Sequence, residues 1–220
     1  MRVIALFSGG KDSTYALYRA IQEGYDVERL VTIFSNREDS WMYHVTTIEL
    51  STLIAESIGI PLYSLKTSLP KEKELTPLEN AIRELKPEGI VSGAVASNYQ
   101  KKRIDKVAEK AGVLSVAPLW HMDERELLCE MIDSGFKVMI VGCFAMGFDS
   151  TWLGRLIDYD TIEELEKLKR RYGISMVGEG GEYETAVLDA PIMKKEIIIN
   201  YKKIWNGNCG EIKVDRAYLI

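Results

Sequence analysis

The sequence predicts an α/β protein: a mostly parallel, Rossmann-like sheet flanked by helices, followed by a smaller C-terminal α+β part. Three observations carry this reading. Short apolar runs alternate with amphipathic stretches through residue 116. Gly24, Gly59 and Gly112 close the amphipathic stretches, as helix-ending glycines do. Beyond Pro118 the alternation gives way to a charged helix and then to strand-like, turn-rich sequence. Buried strands alternating with helices imply βαβ units.

Taken in order, residues 3–7 form an apolar strand that stops at Ser8-Gly9-Gly10, and residues 12–23 form an amphipathic helix. A strand at 30–34 precedes a helix at 46–58, and a strand at 62–65 precedes a helix at 77–85. A strand at 89–91, a helix at 96–111 and a strand at 114–116 complete the first half. In the second half, 123–134 and 161–172 read as helices, 137–141 as a strand, and 195–200 with 211–219 as paired strands. The boundary falls near residue 120. It separates a nucleotide-type α/β half at 1–120 from a smaller α+β half at 121–220.

Composition narrows the function classes. Of 220 residues, 46% are hydrophobic and 28% charged, which excludes a disordered chain and a disulfide-stapled miniprotein. Lys and Arg number 28 against 33 Asp and Glu, a net charge of −5 that disfavours gripping nucleic acid through its phosphates. The odd cysteine count (Cys129, Cys143, Cys209), without a CxxC pair, and the missing signal peptide point to a reducing cytoplasm. No apolar run reaches the roughly 18 to 20 residues of a membrane span. His44 and His121 are the two histidines, and no zinc-site spacing surrounds them. Cys143 ends an apolar strand and reads as core rather than nucleophile; Met131, Met139 and Met146 read as core filler.

Ser8, Gly9, Gly10, Lys11, Asp12 and Ser13 sit where an α/β sheet binds ligands, after the first strand and at a helix start. Glycine admits an anion close to the backbone, and helix-start amides point at it. The serine hydroxyls and the Lys11 charge suit a phosphate or pyrophosphate. The spacing is neither GxxxxGK[ST] nor GxGxxG. The alternative is a plain turn in which Asp12 or Ser13 caps the helix.

This loop resembles the PP-loop of the N-type ATP pyrophosphatases, whose domain is of the HUP type. The resemblance implies ATP cleavage between the α- and β-phosphates, with the loop holding the departing pyrophosphate. It gives Lys11 and Asp12 catalytic roles and makes Asp12 a candidate Mg²⁺ ligand, with helix capping as the competing role. Gly93 and Arg103 would join the nucleotide site, and the backbone of Ile33, Phe34 and Ser35 would meet the adenine edge.

A second dense cluster is Gly178-Glu179-Gly180-Gly181-Glu182-Tyr183-Glu184-Thr185. It reads either as an acidic surface hairpin or as a pocket for a cation. If extended, Glu182 and Glu184 point one way and Tyr183 the other. Together the two motifs resemble the diphthine–ammonia ligase family along nearly the whole chain. Ser40-Trp41-Met42-Tyr43-His44, Ser92-Gly93-Ala94-Val95, Pro118-Leu119-Trp120, Leu153-Gly154-Arg155, Tyr172-Gly173 and Leu188-Asp189-Ala190-Pro191 are similar too, while Asn98 and His121 depart from it.

The resemblance implies ATP-dependent amidation, with ammonium, of the diphthine carboxylate on translation elongation factor 2, releasing AMP and pyrophosphate. It places the substrate on His44, Tyr99, Gln100, Glu179, Gly180, Gly181, Glu182, Tyr183, Glu184 and Thr185. The acidic cluster would offset the acceptor's trimethylammonium group or bind the incoming ammonium, with Tyr183 or Trp152 offering a π face. A short, archaeal-type member is expected, with no membrane or direct nucleic-acid partner, and with a homo-oligomer left open. The competing readings are another PP-loop enzyme, such as an RNA modifier, and a nucleotide-binding module without turnover. The second motif is expected to face the glycine loop across a cleft.

Overall fold

A computed structural model describes residues 1–35, 45–67 and 75–220. The first half is a parallel five-stranded sheet in the order β3-β2-β1-β4-β5. Its strands are β1 (Arg2–Leu6), β2 (Asp26–Ser35), β3 (Leu62–Thr67), β4 (Gly89–Val91) and β5 (Leu114–Val116). The intervening helices are α1 (Lys11–Gln22), α2 (Val45–Ile58), α3 (Thr76–Leu85) and α4 (Asn98–Ala111). The chain runs outward from β1 to β3, then returns to lay β4 on the other side of β1. The crevice at the carboxyl ends of β1 and β4 is therefore the switch point where such sheets bind ligands.

Strand β1 is central because its three middle residues are buried whichever face they point to. Val3 and Ala5 join Leu30, Val91 and Val116 in one apolar cluster, while Ile4, Val31 and Ile90 face a second one with Leu78, Ile82 and Val107. Helix α4 starts two residues later than its periodicity suggests, because Ser97 caps it and accepts from the Gln100 amide at 3.3 Å.

The second half holds α5 (Glu124–Asp133), α6 (Tyr159–Tyr172) and an antiparallel sheet, β7-β6-β9-β8. Its strands are β6 (Lys137–Cys143), β7 (Tyr183–Asp189), β8 (Ile197–Asn206) and β9 (Cys209–Leu219). The expected pairing of the last two strands is present, from Ile197 opposite Leu219 to Asn206 opposite Cys209. Met131 and Met139 are buried, but Met146 is 73% exposed and is not core filler. It lies in the connection after β6, outside any strand face that could bury it.

The two halves share one core. A single cluster runs from Val3, Leu17 and Ile54 to Ile140, Val187 and Ile197. Polar ties cross the same junction. Ser57 donates from its hydroxyl to Lys195 O at 2.6 Å and accepts from the Lys195 amide at 3.0 Å. Val187 N donates to Gly9 O at 3.1 Å. The second motif thus rests directly on the glycine loop instead of facing it across a cleft, because β7 itself packs against α1.

A shared core unfolds as one unit. Urea denaturation followed by circular dichroism and by tryptophan fluorescence should give one midpoint, and two separate midpoints would contradict the description. Ile54→Ala, which empties a fully buried position against Gly9, should lower stability by about 2–5 kcal/mol in the same experiment.

Candidate active site

Gly9 is left-handed, at φ +79°, and a Cβ there would stand 2.9 Å from Ile54 Cδ1 and 3.3 Å from Ser51 Cα. The turn therefore requires glycine twice over. Gly10 is the N-cap of α1 without any side-chain cap, so neither Asp12 nor Ser13 caps the helix. Ser13 Oγ instead donates to Gly10 O at 3.1 Å, lies 3.1 Å from Ser8 Oγ and accepts from Ser8 N at 3.2 Å. Ser51, on α2, donates to Ser8 O at 2.6 Å and fixes the far side of the turn.

The loop after β4 approaches to backbone contact. A Cβ on Gly93 would meet Asp12 C at 2.7 Å, Asp12 O at 2.8 Å and Ser13 N at 2.8 Å. Beside this contact two buried oxygens, Asp12 Oδ1 and Ser92 Oγ, have no hydrogen-bond partner among the described residues. Buried polar atoms in a folded protein are normally paired, so these two point to a ligand that supplies the partners.

Lys11 is 2% exposed, and its ammonium turns under the loop. It donates to Val177 O, pairs with Asp12 Oδ2 at 2.8 Å and lies 5.4 Å from the centre of the Tyr183 ring. It is not displayed at the loop surface where a phosphate would meet it. Burial pushes the Asp12 carboxyl above its ordinary range; Lys11 pulls the other way, and Glu179 adds to the rise.

The acidic residues of the second motif have separate partners. Glu179 accepts from Val95 N at 2.9 Å and Ala96 N at 2.7 Å. Glu182 lies just before β7, and its carboxylate folds back onto Ser175 N and Gly180 N, both at 2.8 Å. Gly180 is exposed at the tip of this turn, and the half-buried Gly181 takes φ +83°. Thr185 Oγ1 accepts from Lys11 N at 3.1 Å. Glu184 points from β7 to the opposite face from Thr185, whereas the Glu182 carboxylate, ahead of the strand, is turned back onto its own segment, so the two are engaged separately. Glu184 and Glu211 are both opposite Gly142 of β6, and burial together with Glu211 raises the Glu184 carboxyl to about 7.

The expected π faces are also displaced. Tyr183 is 4% exposed, donates to Met176 O at 2.6 Å and packs by Phe148, and Trp152 is 5% exposed against the same phenylalanine. Both rings belong to the core. At the start of α4, Tyr99 is 59% exposed, accepts from Arg103 at 2.5 Å and stacks under its guanidinium at 4.9 Å. Gln100 is exposed one residue further on. His121 takes φ +62°, donates from its amide to Val95 O at 2.8 Å and stacks on Trp120 at 4.4 Å.

The fold thus brings Ser8, Gly9, Gly10, Lys11, Asp12, Ser13, Gly93, Glu179 and Thr185 to one crevice. Ile33, Phe34 and Ser35 lie at the carboxyl end of β2, beyond Leu6 opposite Val31, where the β1 pairing stops. His44 lies outside the described residues. Ser51, Ser92, Glu211 and the Val95 and Ala96 amides were not singled out as site residues from sequence. Ser51 and Glu211 are remote in sequence from the groups they meet, Ser92 has no partner among the described residues to mark it, and backbone amides leave no residue-type signal. Burial pushes the Cys143 thiol up to about 12, in keeping with a core cysteine. No helix among the described residues is long and apolar enough to cross a membrane.

Two family models match the chain: the diphthamide synthase N-terminal domain over residues 1–115 and the diphthamide synthase C-terminal domain over residues 123–220. The human diphthine–ammonia ligase is 35% identical over 93% of this chain and 85% of its own length. The Schizosaccharomyces pombe diphthine–ammonia ligase is 30% identical over 96% of this chain but only 38% of its own length. Among solved structures, a predicted subunit of a tRNA methyltransferase from Methanocaldococcus jannaschii superposes with a TM-score of 0.48 at 17% identity. That superposition covers 87% of this chain and 98% of the other.

Glu184 gives the site a signed pH dependence. Its folded carboxyl holds a proton up to about pH 7, whereas the unfolded chain releases it near 4.5. Its contribution to stability is complete below 4.5 and is lost as pH rises through about 7. Glu184→Gln should flatten this part of the melting-temperature profile and raise the melting point at pH 8. An unchanged slope would show that Glu184 titrates as an ordinary exposed carboxylate.

Proposed function

This chain belongs to the diphthamide synthase family, and from that membership we propose that its crevice carries out the last step of diphthamide synthesis, as a diphthine–ammonia ligase. The supporting observation is the glycine turn that opens α1 in backbone contact with the loop after β4, with two unpartnered buried oxygens at the contact. ATP and the modified histidine of translation elongation factor 2 would be its substrates, with ammonium as the nitrogen source.

In this reading residues 1–120 hold the nucleotide and residues 121–220 present the acceptor. ATP lies across the ends of β1 and β4, with its phosphates on the amides and hydroxyls of residues 8–13 and its adenine edge at the backbone of residues 33–35. Arg103 stands at the rim with Tyr99 and Gln100, and His44 joins the acceptor side. An acceptor carboxylate oxygen attacks the α-phosphorus; that O–P bond forms as the bond to the bridging oxygen breaks, and pyrophosphate takes the electron pair. Ammonia then attacks the activated carbonyl carbon, loses a proton and displaces AMP.

The chain's own contribution is positioning and charge. Helix-start amides and the Ser8 and Ser13 hydroxyls hold the leaving pyrophosphate, preorganised donors that need no rearrangement when charge develops. Lys11 acts from beneath: its buried charge opposes the burial that raises the Asp12 carboxyl and adds positive potential under the loop. Asp12, with a hard oxygen buried and unpartnered, fits as the residue that would hold Mg²⁺. The ion would supply charge neutralisation on the phosphates. A cytoplasmic location fits the reducing compartment that the cysteines suggest.

Pyrophosphate release tests the reading. Release should depend on elongation factor bearing diphthine, with AMP rather than ADP as co-product. Release stimulated by RNA, or none with any acceptor, would overturn it. Gly93→Ala drives a methyl group into the Asp12 backbone and should raise the KM for ATP by about tenfold or more, equivalent to roughly 1.4 kcal/mol. An unchanged KM would place the nucleotide elsewhere.

A further inference from the structure

We propose that the backbone amides of Val95 and Ala96 are the seat of the acceptor carboxylate, and that Glu179 holds that seat as an internal stand-in. The inference rests on the ligase reading and specifies where its acceptor binds. Two consecutive N–H groups donate to the two oxygens of one carboxylate, at 2.9 and 2.7 Å. The ligand class this pair selects is therefore a carboxylate, and the reaction needs one in this crevice.

Position supports the assignment. Val95 and Ala96 lie in the loop whose Gly93 touches the Asp12 and Ser13 backbone, so a carboxylate on them is beside the phosphate-binding turn. In the same loop Ser92 is 3% exposed and its hydroxyl has no partner among the described residues, so a polar ligand on this loop would supply one. The amides also lead into the N-terminus of α4, whose dipole favours an anion there.

Glu179 differs from Glu182 in a way that suits a removable occupant. The Glu182 carboxylate binds amides of its own segment, at Ser175 and Gly180, and staples that turn. The Glu179 carboxylate reaches across to the other half, from a segment flanked by Gly178 at φ +71° and by Gly180 and Gly181. Glycines on both sides allow the carboxylate to swing away without unfolding β7. Once the acceptor carboxylate is seated and one of its oxygens is bonded to the α-phosphorus, the amide on its other oxygen faces the oxyanion that forms when ammonia attacks.

Acetate is the probe. The full-length protein, ¹⁵N-labelled, is titrated with sodium acetate while the Val95 and Ala96 amide resonances are followed, for wild type and Glu179→Ala. The variant should show saturable shifts at both amides, and wild type should need about tenfold more acetate, because its seat is mostly taken. In steady state the variant's KM for the protein acceptor should fall while its KM for ATP holds. If Glu179→Ala lacks a dispersed spectrum, Glu179→Gln, which loses the charge and one acceptor, replaces it. A folded variant whose two amides ignore acetate, or respond as wild type does, would overturn the proposal. So would a rise in acceptor KM. The acetate arm needs no acceptor, so it separates failure of this seat from failure of the ligase reading.

Discussion

The arrangement depends on a buried charge. The Lys11 ammonium is shut away from water, and an uncompensated charge in that position would cost several kcal/mol. Its compensation comes from Val177 O, the Asp12 carboxylate and the face of Tyr183. Two of these three belong to the segment around the second motif. The C-terminal half must therefore press against the glycine turn for the turn to keep its lysine inside. Thr185 and Val187 complete the contact, one taking the Lys11 amide and the other donating to Gly9 O.

That contact explains why the second motif carries so many glycines and carboxylates in so few residues. Glu182 fastens the turn to itself, Glu179 fastens it to the loop after β4, and Tyr183 lies under the lysine. Gly93 lets the loop after β4 close on Asp12. The crevice is thus bounded by the glycine turn and the loop after β4, each tied to the C-terminal half, and by the turn of the second motif. Negative charge is concentrated at its edge, in Asp12 and Glu179, while helix-start amides supply the opposite potential. A phosphate ligand there would find donors below and carboxylates beside it.

Much of this was legible in the sequence. Apolar alternation and helix-ending glycines placed the five parallel strands, because both signals are local. The glycine turn was legible for the same reason: a strand, two glycines and a helix form one continuous stretch. The direction of Lys11 was not, since a lysine beside glycines looks like a phosphate ligand unless the partner that buries it is known. Nor was the division of labour between Glu182 and Glu184. Glu182 stands one residue before β7 begins, which removes it from the alternation that governs Glu184. Tyr183 and Trp152 looked like available rings, yet Phe148 joins both to the core. Each of these outcomes depends on how the two sheets dock, which no spacing within either half encodes.

The most direct measurement is the titration of the Asp12 carboxyl by ¹³C NMR in the wild-type protein and in Lys11→Met. If the buried lysine is the tie described, Asp12 titrates above its ordinary value of 3.8 in the wild type, and removing the ammonium moves it higher still. An Asp12 that titrates at or below its ordinary value, and does not respond to loss of Lys11, would contradict the account.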